Sequence, residues 1–119
     1  MNKTACFDYD GTLATYNGWN GPEHFGDPIE ETVETVRTMK KLGWKIIIFT
    51  TREETEGLRK WLEDNKVPYD EINKNSDNPP NTSVKPLADV FIDDRAVNYH
   101  GQDRLELMSE ILKVVEDTE

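Results

Sequence analysis

Cysteine is nearly absent from this sequence. Of 119 residues only Cys6 is a cysteine, so no intrachain disulfide can form and a reducing cytoplasm is the expected compartment. Cys6 lies in the first apolar run, where it reads as a small buried hydrophobe. Histidine is scarce too. His24 and His100 are isolated in the sequence, and no Cys/His cluster points to zinc. Long hydrophobic runs are missing, which excludes a membrane-spanning helix, and nothing resembles a signal peptide. Positive charge is in short supply, with 14 Lys and Arg against 24 Asp and Glu and a net charge of −10. Broad, non-specific nucleic-acid binding needs the opposite balance, so nucleic acid is disfavoured as a partner.

What is present is a chain long enough for one domain with one core, expected to span residues 1–119. Apolar residues make up 35% and charged residues 32%, as expected of a soluble globular domain. A short strand ends at Ala5–Phe7. "DPIEETVETVRTMKKLG" carries Ile29, Val33, Val36, Met39 and Leu42 near one helical face. Asp27 is its expected N-cap, Pro28 its first residue, Glu30 the partner in a capping box, and Gly43 the stop. "WKIIIFTTR" reads as a strand buried on both faces. Thr51 and Glu54 are expected to cap the next helix, which turns Leu58, Trp61 and Leu62 inward and stops near Asn65. "YDEIN" and "ADVFIDD" are further strands, the latter buried, with an irregular stretch over 73–86 between them. A last helix from about Asp103 to Glu116 is expected to bury Leu105, Met108, Ile111, Leu112 and Val115. Alternating strands and helices predict an α/β domain with a mostly parallel sheet.

On that frame, polar residues collect at strand ends. Asp8 and Asp10 follow the first strand, Thr50 the second, and Asp93 and Asp94 the fourth, with Lys85 just ahead of it. Ligands of open α/β sheets bind at that edge. Clustered carboxylates repel one another unless a cation sits among them, and hard oxygen donors suit Mg²⁺. A cation with Lys85, the Thr50 hydroxyl and the backbone amides behind it makes a site for a phosphoryl group. Asp8 is then placed to attack phosphorus, and Asp10 to protonate the leaving oxygen and later activate water.

These residues resemble a known superfamily. "DYDGT" fits the D-x-D-G-T first motif of haloacid-dehalogenase-like (HAD) phosphohydrolases, a match expected by chance in roughly one chain of this length in a thousand. "IIIFT", Lys85 and "VFIDD" resemble the second, third and fourth motifs, in the right order across residues 5–95. The resemblance implies a three-layer Rossmann-like core and an Asp8 nucleophile. It further implies an Asp10 acid/base, and Mg²⁺ held by Asp8, the Asp10 carbonyl and the fourth-motif acids. Asp93 is the favoured direct ligand and Asp94 the one acting through water, a ranking the sequence alone leaves open. A phosphoacceptor receiver domain has similar parts, but its acidic pair comes before the acceptor Asp, Thr and Lys; here the pair comes last.

No stretch is long enough for a cap domain, which likens the chain to small capless bacterial and phage members carrying "FTTR" and "FIDDRA"-like segments. A short flap over about 13–27 is expected beside the site, with Tyr16, Trp19 and Phe25 over the substrate. Thr51 and Arg52 are expected substrate contacts, and Arg95 either does the same or pairs with a neighbouring acid. The expected activity is Mg²⁺-dependent hydrolysis of a small phosphorylated metabolite. The alternatives are a nucleotide or polynucleotide-end phosphatase and a non-catalytic phosphate-binding scaffold. Oligomeric state is not legible.

Overall fold

The computed structural model describes residues 3–117. Four strands and three helices follow in the order β1 (Thr4–Phe7), α1 (Glu30–Lys41), β2 (Lys45–Ile48), α2 (Glu56–Asp64), β3 (Glu71–Ile72), β4 (Val90–Ile92) and α3 (Arg104–Asp117). The strands form one all-parallel sheet in the order β3-β2-β1-β4. The α/β fold with a Rossmann-like core and no cap is thus as expected. Among the described residues, no helix is long and apolar enough to cross a membrane.

Strand alternation sorts side chains to two faces. Ala5, Phe7, Ile46, Ile48 and Ile72 join Val33 and Val36 of α1 and Leu58 and Leu62 of α2 in one core. Cys6 and Ile47 point the other way, yet are 1% and 0% exposed. In the crossing segment 73–88, Pro86 is fully buried and Asn75 receives a hydrogen bond from Lys45 Nζ at 2.7 Å. Cys6 is buried, as the sequence suggested, and burial pushes its thiol up to about 11.

Four local expectations are corrected. Helix α1 begins two residues after Pro28, with Ile29 at its N-cap and no side-chain cap. The reason is that 27–29 is stitched to the first motif: Ile29 N–H donates to Leu13 O at 2.7 Å and Thr15 N–H to Asp27 O at 2.8 Å. Helix α2 is capped by Thr55, not Thr51; the Thr55 hydroxyl accepts from Leu58 N–H at 3.1 Å. In α3 the expected inward positions face out, with Leu105 78% and Leu112 60% exposed, while Leu107 and Glu110 are half-buried. Strand β4, expected to be buried, is an edge strand with Val90 and Phe91 about two-fifths exposed.

Candidate active site

Strand β1 lies between β2 and β4, where the chain direction across the sheet reverses. Its C-terminal end therefore opens on the crevice that such sheets use for ligands. Asp8 N–H donates to Ile92 O at 2.9 Å, which ties the start of the first motif to the end of β4 and brings Asp93 and Asp94 alongside. Carboxylate oxygens of Asp8, Asp93 and Asp94 all lie within 4.8 Å of one another.

That convergence has an electrostatic signature. The Asp8 carboxyl is pushed up to about 7, first by burial, then by the charge of Asp93 and by a hydrogen bond and charge from Asp94. Three acids that resist joint ionisation are what a bound cation would relieve, and their donors are all hard oxygens. The residues present fit a divalent metal ion.

Two neighbours explain the tight approach. Gly11 has φ +87°, and a Cβ there would collide with the Asp94 carboxylate, so only glycine suits the position. Thr12 is 7% exposed and its hydroxyl lies 3.5 Å from Asp8 Oδ2. Asp93 in turn accepts from Arg95 N–H at 2.9 Å, which fixes the bend after β4.

Asp10 stands apart from this trio and is held by Arg52. Arg52 Nε and Nη2 donate to its two carboxylate oxygens at 2.8 and 3.1 Å. Thr50 Oγ1 accepts from Arg52 N–H at 3.1 Å, and Thr50 N–H donates to Asn73 Oδ1 at 2.7 Å. Asn73 Nδ2 also donates to Arg52 O at 2.9 Å, so one side chain at the end of β3 clamps the whole 50–52 turn. Sequence reading missed Asn73; its only signal was a position at a strand end, level with the other polar groups. Thr51 is exposed. Lys85 is exposed and packs its ammonium over the Phe91 ring at 5.1 Å, on the face of the sheet that Phe91 shares with Cys6, away from α1 and α2. A ring nitrogen of His100 lies within 4.8 Å of carboxylate oxygens of Glu106 and Glu110 on α3.

The flap over 13–27 leaves and returns beside the first motif. Ala14 bridges both Asp10 and Pro28, Asp27 N–H donates to Thr15 Oγ1 at 3.0 Å, and Trp61 Nε1 donates to Gly26 O at 2.9 Å. A compact loop with joined ends results. Two cavities flank Arg52: one of about 190 Å³ bordered by Asp10, Tyr16 and His24, the other of about 340 Å³ bordered by Trp19, Pro22, Phe25, Thr51 and Glu53.

Fold and site together define an open parallel α/β domain with a carboxylate cluster at its switch point. Comparison with solved structures agrees on the fold. A conserved protein from Bacteroides thetaiotaomicron is similar over 95% of this chain and 91% of its own, at 26% identity and a TM-score of 0.66. A protein from Vibrio cholerae is similar over 93% and 98%, at 25% identity and a TM-score of 0.54. A chain of the Pnkp1/Rnl/Hen1 RNA repair complex shares the fold over 97% of this chain but 39% of its own, at 17% identity and a TM-score of 0.57. No protein-family model matches the chain, and no curated protein matches it.

Proposed function

We infer that the chain is a HAD-type, Mg²⁺-dependent phosphomonoester hydrolase working through an aspartyl phosphate on Asp8. The observation that carries this reading is the meeting of Asp8, Asp93 and Asp94 at the sheet edge, directly ahead of a separately held Asp10. Mg²⁺ would be held by those three carboxylates with the Asp10 carbonyl, and supplies charge neutralisation for acids and phosphoryl group alike.

The chain's own groups account for the rest. An Asp8 oxygen attacks phosphorus as the bond to the ester oxygen breaks, and Asp10 gives its proton to that leaving oxygen. Asp10 then takes a proton from water, whose oxygen attacks the aspartyl phosphate, releasing inorganic phosphate and restoring Asp8. The Thr50 hydroxyl and the amides after it are assigned the phosphoryl oxygens; Lys85 joins them only if its ammonium leaves the Phe91 ring. The substrate class is a small phosphorylated metabolite, and the cavity of about 190 Å³ that Asp10 borders beside Arg52 is the room assigned to its leaving group. A phosphorylated nucleotide or polynucleotide end is the alternative. The RNA-repair neighbour is compatible with it, and the −10 charge opposes it.

The test is hydrolysis of an aryl phosphate with and without Mg²⁺, followed by sugar phosphates, nucleotides and phosphorylated oligonucleotides. Asp8→Asn keeps the size and removes the attacking charge, so turnover should fall by roughly three orders of magnitude or more. Near-normal Mg²⁺-dependent activity in that variant would remove Asp8 as the nucleophile. Phosphate binding with no turnover in the wild type would make the chain a scaffold.

A further inference from the structure

Arg52 is a buried cation, only 8% exposed. A guanidinium taken out of water costs several kcal/mol unless its donors are met. Its partners divide into two groups. Asp10 takes Nε and Nη2, as described. The flap takes the rest: Nη1 donates to Pro22 O at 3.3 Å and Nη2 to His24 O at 2.8 Å. The ring centroids of Trp19 and Phe25, both on the flap, lie 5.0 and 4.9 Å from Cζ, and that of Tyr9 lies 5.5 Å away. Four of the five N–H donors are thus committed, which leaves no fork for a phosphoryl group.

We propose that Arg52 is a positioning residue that latches the Asp10 carboxylate to the flap, so that the acid/base group is aligned only while the flap is closed. The role assigned to Asp10 rests on the hydrolase reading; the latch itself does not. Each Asp10 oxygen has a second lone pair, so one of them can carry the proton that the carboxylic acid gives to the leaving oxygen, and the resulting carboxylate can take one from water while Arg52 holds it. Opening the flap withdraws two carbonyl acceptors and two aromatic faces from the guanidinium, and so loosens its hold on Asp10. Substrate entry and acid/base alignment become one coupled event.

Arg52→Lys keeps the charge and loses the fork, since one ammonium cannot span both Asp10 oxygens and two flap carbonyls. It is preferred to Arg52→Ala, which strands Asp10 and threatens folding. Single-turnover rates on an alkyl and an aryl phosphate should show the alkyl ester losing about tenfold more, with KM changed less than about twofold, because poor leaving groups depend most on the acid. In an Asp10→Asn background that selectivity should vanish. Chymotrypsin should cut after Tyr16 or Trp19 about tenfold faster in Arg52→Lys, in Asp10→Asn and in the double variant, with no further gain on combining them.

Three results would overturn the proposal: a rise of about tenfold in KM and in the inhibition constant of inorganic phosphate for both esters at constant kcat; unchanged flap cleavage in Arg52→Lys; or cleavage gains that simply multiply. If the wild type hydrolyses neither ester with Mg²⁺, the hydrolase reading fails, and flap cleavage still decides whether Arg52 couples Asp10 to the flap.

Discussion

Lys45, at the start of β2, places its ammonium 2.8 Å from Glu71 Oε2 and 3.0 Å from Asp77 Oδ2, joining β2, β3 and the crossing segment. Glu71 also accepts from Ser76 N–H and Oγ at 2.9 and 3.0 Å. Lys45 first, and Ser76 after it, hold the Glu71 carboxyl down at about 2. A carboxylate lower in the folded than in the unfolded chain contributes stability above its unfolded value of about 4.3, and that contribution is lost as pH falls toward 2. Glu71→Gln should therefore lower the melting temperature at pH 7 and flatten its decline between about pH 4.5 and 2. Parallel acid-dependent melts would refute the assignment.

The same scale shows what a sequence makes legible. Asp8, Asp93 and Asp94 could be brought together on paper because strand ends of a parallel sheet share one edge. The Arg52–Asp10 pair could not, since it depends on how the flap folds back over the 50–52 turn. Asn73 was invisible for a related reason: its role requires the β3–β2 register, in which Ile72 pairs with Ile48, and a left-handed φ of 58°.

Among the elements, the strand and helix order was legible from apolar periodicity, whereas the starts of α1 and α2 were not. Capping residues mark where a helix is able to begin; the tertiary bonds of 13–15 to 27–29, and of Thr50 to Asn73, decide where it does. Helix α3 shows the other limit. Periodicity reveals an apolar stripe but not the surface opposite it, and here Leu105, Met108, Ile111 and Leu112 are 39–78% exposed. The radius of gyration, 15.3 Å, exceeds the roughly 13.5 Å of a compact chain of this length, consistent with a helix that adds little to the core. Stability should follow exposure, not pattern. Leu58→Ala, in the core face of α2, should cost about 2–5 kcal/mol, and Leu105→Ala no more than about 0.5 kcal/mol. Urea titrations of both variants check this, and equal losses would mean that the Leu105 side of α3 is covered in solution.

For the molecule as a whole, acidity and fold meet at one point. A net charge of −10 works against compaction, and the sheet topology concentrates part of it where Asp8, Asp93 and Asp94 converge. A cation that binds there recognises the folded chain and has no comparable site on the unfolded one. At a free Mg²⁺ concentration about a hundredfold above its dissociation constant, linkage gives roughly 2.7 kcal/mol. For a domain of this size that raises the melting temperature by on the order of ten degrees. General screening also stabilises an acidic chain, so Na⁺ at matched ionic strength sets the baseline. The excess over that baseline is the part the site explains, and it should shrink sharply in Asp93→Asn, which removes one acid from the trio without touching the core. Because this readout needs no substrate, it separates the metal site from the reaction built on it. Equal shifts with saturating Mg²⁺ and with matched Na⁺ would mean that the carboxylates meet without forming a cation site, and the Asp8 chemistry would lose the charge neutralisation it requires.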